Sequence, residues 1–289
     1  MIRFRFSQAE SEWLCEKSPL RRGFLYLMFE VASARTPSMA NYSSYIICGT
    51  PRSGSTLLCE MLAASGTGKP NSYFRAEDFG YWAERWGVTG QVGVDSLKFE
   101  QNYFEAMLRE GRNGSDIFGL RLMWNSVDEA TRCLQQLQGG RADFHIQVQK
   151  AFGPTLFIHL SRADKLAQAI SLVRARQSGL WHIKADGSVM EGDECERPIE
   201  YDRTVIANAV AQLEEDDAAW TAFFCSQAIE PVLIAYSEIS KNPQAVLAKV
   251  LERLGKDPKI AGSMQTPTRK MSDATSTEWY ERYLAESIL

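Results

Sequence analysis

The sequence predicts one α/β domain with a mostly parallel sheet, and three observations predict it. Four short apolar runs, at Tyr45–Cys48, Ile117–Trp124, Leu156–Leu160 and Pro231–Tyr236, read as strands. Helical patterns separate them, as in successive βα units. Glycine and cation signals stand at strand ends, where open α/β sheets bind their ligands.

Composition sets the bounds. With 289 residues, 45% of them hydrophobic and 24% charged, the chain can bury a full core as one large or two small domains. A net charge of −4 offers no global attraction to nucleic acid or an anionic membrane, so nucleic acid is not expected as a partner and any anion site must be local. The six cysteines, Cys15, Cys48, Cys59, Cys133, Cys195 and Cys225, lack paired spacing, and with three histidines they spell no metal site and no disulfide framework. Cys48 in the first strand and Cys59 in the following helix read as small buried hydrophobes of a protein in a reducing cytoplasm.

Residues 1–41 form an N-terminal extension outside the α/β pattern. Ser7-Gln8-Ala9-Glu10 has the form of a capping box, opening a short helix that ends near Pro19. Arg21-Arg22-Gly23 then precedes the apolar run Phe24–Phe29, with Ala32-Ser33-Ala34 placed like a cleavage site. The run is too short to span a bilayer and weak as a secretory core, so neither a transmembrane segment nor export is expected. A surface or subunit-packing helix is one reading of the extension; a natural translation start at Met39 is another.

The first strand runs into Gly49-Thr50-Pro51-Arg52-Ser53-Gly54-Ser55-Thr56 and then straight into a helix. That helix carries Leu57, Leu58, Met61 and Leu62 at helical spacing and closes at Ser65-Gly66. Its unpaired N–H groups and positive dipole end open directly after Gly54 and can hold an anion. The spacing Gly49-x-x-x-x-Gly54-Ser55-Thr56 is that of a P-loop, but Ser55 stands where a nucleotide triphosphatase carries lysine. Arg52 supplies the cation instead, so the loop suits a phosphate or sulfate and is poorly equipped for an Mg-triphosphate.

The run Thr50–Leu58 after a strand resembles the 5′-phosphosulfate loop of sulfotransferases that use 3′-phosphoadenosine 5′-phosphosulfate, most of all the bacterial trehalose 2-sulfotransferase type. The likeness continues through Phe118–Asn125, Leu156–Trp181 and Glu278–Tyr283, and covers residues 42 to 285. It implies a P-loop-like three-layer α/β/α fold with a mostly parallel central sheet for a domain at 42–289. It also implies that phosphosulfate donor, no metal, a sugar acceptor and a homodimer.

In the resembling family a glutamate just before two aromatics is the general base for the acceptor hydroxyl. Here its place is taken by Ser72, followed by Tyr73 and Phe74. A serine has no basicity at neutral pH. Either Glu77 or Asp78 supplies the carboxylate, or the acceptor differs, or catalysis runs with a weaker base. Arg121, inside an otherwise apolar strand, needs a partner or an anion. The family's lysine at this place implies a role near donor or acceptor, and the competing reading is a structural ion pair.

His159, alone in its strand, reads as hydrogen-bonded structure, with a catalytic base as the minor alternative. Ser161-Arg162-Ala163-Asp164 ends that strand and opens a helix with Leu166, Ile170 and Val173 on one face and Asp164 as N-cap. Arg162 and Ser171 match the family's 3′-phosphate pair, and Lys270 takes the place of an arginine of that site; a bidentate guanidinium suits a terminal phosphate. Trp181 and His182 are candidates for an acceptor wall, since aromatics stack on sugar faces. The acidic loop Lys184–Asp202 that follows reads as an acceptor-site lid or a dimer contact. In the long helix Val205–Phe224, Glu214-Glu215-Asp216-Asp217 reads as a solvated face, and a last βα unit ends with a helix from Pro243 to Leu254 closed by Gly255.

The function this implies is transfer of a sulfuryl group from 3′-phosphoadenosine 5′-phosphosulfate to a hydroxyl of a carbohydrate or glycolipid. Pro51, Arg52, Ser53, Gly54, Ser55 and Thr56 then hold the phosphosulfate, with Arg52 also catalytic. Ser72, Tyr73, Phe74, Arg121 and Trp181 face the acceptor. Two alternatives stay open: a P-loop nucleotide kinase or other phosphotransferase using Mg-ATP, which the missing lysine disfavours, and a non-catalytic nucleotide-binding homologue, which Ser72 would explain.

Overall fold

The computed structural model describes residues 41–88, 96–183, 186–192, 197–267 and 273–287. Strand β1 (Ser44–Gly49) leads into helix α1 (Ser55–Ala64); a 3₁₀ turn (Ala76–Asp78) precedes α2 (Phe79–Trp86) and α3 (Ser96–Arg112). Strand β2 (Phe118–Met123) is followed by α4 (Val127–Gln138) and α5 (Phe144–Phe152), and β3 (Thr155–Ser161) by α6 (Lys165–Ser178). The hairpin β4 (Leu180–Ile183) and β5 (Val189–Gly192), the long α7 (Arg203–Ser226), β6 (Val232–Ala235), α8 (Tyr236–Lys241), α9 (Pro243–Arg253) and α10 (Ala274–Ala285) complete the order.

Four strands form one parallel sheet in the order β2-β1-β3-β6. Because side chains alternate along a strand, β1 sends Ile46 and Cys48 to one face and Tyr45 and Ile47 to the other. The first face packs with Leu120, Leu122 and Phe157 against α3, α4, α5 and α7; the second packs with Ile158, Leu160 and Ile234 against α1 and α9. This is the three-layer α/β/α architecture. Each fully buried aliphatic side chain contributes roughly 1.5–3 kcal/mol, so strands apolar on both faces are held from both sides. A third cluster joins α6, α7 and α10 through Ile170, Leu213 and Trp279.

Two expectations are corrected. Trp181 and His182 do not lead into a plain loop: they lie in β4, which pairs antiparallel with β5 inside the stretch read as a lid. Nor is Glu214–Asp217 a solvated face. Asp216 is buried and accepts from Gln212 Nε2 at 2.9 Å, and Asp217 forms an ion pair with Lys165 of α6. Successive helical residues turn by about 100°, so four in a row cannot share one face.

Cys48 and Cys59 are buried as expected, and burial pushes the Cys59 thiol up to about 12. Among the described residues no helix is long and apolar enough to cross a membrane.

Candidate active site

The site grows from the carboxyl end of β1. Trp220, fully buried, donates Nε1–H to the Gly49 carbonyl at 3.0 Å and fixes where the strand stops. A Cβ on Gly49 would lie 2.6 Å from the Leu160 carbonyl oxygen, so only glycine lets β1 and β3 approach this closely here. The chain then turns through two left-handed residues, Arg52 (φ 64°) and Gly54 (φ 91°). Helix α1 begins at Ser55 with no side chain capping its N-terminus and no acid in its first turn. Its free N–H groups face the turn, as an anion cradle requires. The Ser53 hydroxyl is buried there without a hydrogen-bond partner.

Gln168, fully buried on α6, braces the loop from behind. Its Nε2 donates to Thr50 Oγ1 at 2.9 Å and to the Pro51 carbonyl at 2.6 Å. Lys165 Nζ donates to the Arg162 carbonyl at 2.7 Å and pairs with Asp217, whose other oxygen accepts from Thr50 Oγ1 at 3.4 Å. One amide and one ion pair thus tie β1, the β3–α6 junction and α7 to the same five-residue turn.

Arg52 Nε donates to Ser171 Oγ at 3.0 Å and Nη1 to the Trp181 carbonyl at 2.5 Å, with His182 Nε2 at 3.4 Å. Burial above all, and Arg162 beside it, lower its pKa to about 10 against the pull of Glu191, which leaves it charged at neutral pH. Arg162 donates to the Arg52 carbonyl at 3.4 Å and lies over the Tyr236 ring, 4.3 Å from its centroid. Burial lowers its pKa too, and its Nε is buried with no hydrogen-bond partner. Arg52, Arg162 and Ser171, read from separate segments, therefore meet.

On the other side of α1, Arg121 donates Nη1 to Thr56 Oγ1 and Nε to Ser72 Oγ, both at 2.9 Å. Its partners are these two hydroxyls and, at 3.5 Å, the side-chain carbonyl of Asn71; among the described residues no carboxylate pairs with it, so the ion-pair reading of this strand arginine gives way to a neutral polar link between cradle and Ser72. Thr56 Oγ1 is also 2.9 Å from His182 Nε2, and Glu191 Oε2 lies 3.7 Å from that nitrogen. Burial, then Arg52 and Arg121, press the His182 pKa down to about 3.

Other expected residues lie apart from this cluster. Tyr73 and Phe74 are turned into the core, the Tyr73 hydroxyl donating to the Lys69 carbonyl at 2.6 Å. The Trp181 indole packs against the α6–α7–α10 cluster while its carbonyl faces Arg52. Glu77 is exposed, and Asp78 pairs with Arg75 at 2.6 Å. Lys270 lies outside the described residues.

A cleft of about 1300 Å³ leads from the cradle along α6, α8 and α10. Among its described lining residues, five cations, Arg52, Arg162, Arg174, Arg197 and Lys241, outnumber the three carboxylates Asp164, Asp273 and Glu281. A chain with net charge −4 thus carries a locally positive cleft, able to take a multiply charged anion.

Sequence reading missed Gln168, Lys165, Asp217 and Glu191. The first three act only through tertiary contacts. Glu191 had a local signal: Asp186-Gly187 between two short strand-like runs is a hairpin turn, and the hairpin brings Glu191 opposite His182.

Comparison with known proteins identifies the family. A model of the Stf0 sulphotransferase family matches residues 44–286. A trehalose 2-sulfotransferase of Mycobacterium tuberculosis is 28% identical over 84% of this chain and 95% of its own length. One of Mycolicibacterium smegmatis is 27% identical over 83% and 94%. A solved sulfotransferase domain from the curacin biosynthetic pathway aligns with a TM-score of 0.41 at 17% identity, over 84% of this chain and 96% of that one. The chain belongs to the Stf0 sulphotransferase family.

Proposed function

We propose that this Stf0 sulphotransferase takes its sulfuryl group from 3′-phosphoadenosine 5′-phosphosulfate and delivers it to a hydroxyl of a carbohydrate or glycolipid, in the cytoplasm and as a homodimer. The observation that carries the donor is the cradle itself: an uncapped helix N-terminus with Arg52 beside it and a serine at the lysine position of a nucleotide triphosphatase. The buried, unpartnered Ser53 hydroxyl and the net positive cleft fit a polyanion.

Bound there, the donor supplies the activated sulfuryl group. The protein's part is positioning and electrostatics. Arg52 and the hydroxyls of Ser53, Ser55 and Thr56, with the α1 amides, hold the phosphosulfate end and offset charge gathering on the leaving phosphate. Arg162 and Ser171, with Lys270, hold the 3′-phosphate. The guanidinium of Arg162 is fixed over Tyr236, which leaves its edge for bidentate bonding. Arg121 and Ser72 border the acceptor side.

The acceptor class is supported by the two relatives described as trehalose 2-sulfotransferases, which makes trehalose the first sugar to assay. The homodimer is supported by the family resemblance, and light scattering of the full chain checks it.

The deciding experiment compares thermal shifts by adenosine 3′,5′-bisphosphate and Mg-ATP at equal concentration. A ligand at 100 times its Kd stabilises by about 2.7 kcal/mol. Stabilisation by the bisphosphate alone is expected; stabilisation by Mg-ATP alone would replace this reading with a phosphotransferase.

A further inference from the structure

Resting on the reading above, we infer that His182 is the catalytic base of this site, and that Glu191 is a positioning residue that stabilises its protonated form. Hydrogen-bond direction sets the tautomer of the imidazole. Arg121 can only donate, so Thr56 Oγ1 accepts from it and turns its own hydrogen elsewhere. His182 Nε2 lies 2.9 Å from that hydroxyl. Arg52 Nη1, 3.4 Å from the same nitrogen, is again only a donor. A hydroxyl can accept two hydrogen bonds, so it is the Arg52 donor that assigns the lone pair to Nε2 and the ring proton to Nδ1, with Thr56 then donating to that nitrogen.

The position matters as much as the tautomer. Thr56 lies in the first turn of α1, at the open N-terminus, so Nε2 stands one hydrogen bond from the anion cradle. Ser72 approaches the same point through Arg121 but cannot take a proton at neutral pH. Asp78 is engaged by Arg75 and Glu77 is exposed. Among these groups, His182 alone directs a lone pair at the cradle.

The charged groups facing the imidazole are Arg52 from the turn, Arg121 from β2 and Glu191 from β5. Burial first, and then the two arginines, keep it neutral and therefore in its basic form. An anion on the cradle offsets them and raises its proton affinity when it is needed. Glu191, 3.7 Å from Nε2, then balances the imidazolium. In the step, the acceptor oxygen bonds to sulfur and the bond from sulfur to the 5′-phosphate oxygen breaks. That electron pair leaves on adenosine 3′,5′-bisphosphate; with Thr56 and Arg52 turned to the bound phosphosulfate, the Nε2 lone pair is left to the acceptor hydroxyl, whose proton passes to it and on to solvent.

The test uses the full chain labelled with nitrogen-15, in which His145, His159 and His182 are the three imidazoles, assigned through His182→Gln. His182 is expected as the Nδ1–H tautomer at pH 7, with its titration well below the ordinary histidine range. Adenosine 3′,5′-bisphosphate moves that titration up, and Glu191→Gln moves it down without weakening bisphosphate binding. An Nε2–H tautomer or an imidazolium at pH 7 overturns the inference. In parallel, His182→Gln should bind the bisphosphate as the parent does, while sulfuryl transfer to trehalose falls roughly 10²–10⁴-fold. A rate loss matched by an equal affinity loss would make His182 a donor ligand and overturn it as well. Failure of the parent protein to bind the bisphosphate strikes the donor reading instead, a result separate from the tautomer measured without ligand.

Discussion

Replacing Gln168 by alanine tests whether the phosphate loop is held from behind. Its side chain is fully buried and donates to Thr50 Oγ1 at 2.9 Å and the Pro51 carbonyl at 2.6 Å. Each buried hydrogen bond contributes about 0.5–1.5 kcal/mol net, and orphaned acceptors and a cavity add to the loss, so a destabilisation of roughly 2–4 kcal/mol is expected. Gln168→Leu separates the two terms: it refills most of the volume without restoring the bonds, and should recover part of the stability. Urea unfolding reads this directly. Titration with adenosine 3′,5′-bisphosphate reads the function. Because the lost bonds end on the loop itself, both variants should bind at least about tenfold more weakly, equivalent to 1.4 kcal/mol. Parent-like affinity in Gln168→Leu would refute the brace, since the loop would then hold its shape without it.

Gly49→Ala sets a Cβ 2.6 Å from the Leu160 carbonyl oxygen, backbone that cannot yield without parting β1 from β3, and should cost roughly 1–3 kcal/mol or more in urea unfolding. Arg162→Lys keeps the charge but loses the planar fork and the contact over Tyr236, and should weaken bisphosphate binding with the fold's urea midpoint nearly unchanged. Asp273 caps α10 and pairs with Arg174 at 2.6 Å, an interaction that holds its pKa down to about 2. A carboxylate with a lowered folded pKa stabilises fully above its ordinary pKa and loses that contribution as pH falls through the folded value. Asp273→Asn should therefore cost within about 1 kcal/mol at pH 7, the group being half exposed, and the gap should close between pH 4 and pH 2.

Local chemistry made the cradle legible. A strand, a glycine-flanked turn and a helix start are contiguous, so their geometry follows from neighbours in the chain, and Arg52, Ser53 and Thr56 could be named directly. Arg162 was legible for a related reason, since a parallel sheet brings the ends of its strands together, whereas Ser171, inside α6, was named only through the family resemblance. What pairs across the layers was not. Gln168 looks like any polar residue on a helix until α6 is laid against the β1 turn. Asp217 looks solvated until the long α7 is seen to pack on two sides at once. Tyr73 and Phe74 carried no mark that they would turn inward, because a loop has no period from which to read a face.

The left-handed backbone of Arg52 is where these contacts meet. A non-glycine residue at φ 64° costs of order 1–3 kcal/mol and persists only where its surroundings over-determine it. Here they do. Gln168 holds the carbonyl of Pro51 just before it, Arg162 donates to its own carbonyl, and its guanidinium is fastened to Ser171 and to the Trp181 carbonyl. A glycine at 52 would adopt the turn without strain but would remove the cation. An ordinary right-handed arginine would carry the cation on a differently shaped loop. The arginine is therefore held in its strained conformation by contacts from α6, the β3–α6 junction and β4, and those elements also carry Ser171, Arg162 and His182. The contacts that hold the turn and the groups that surround it come from the same three places, so the shape of the loop and the chemistry around it are set together.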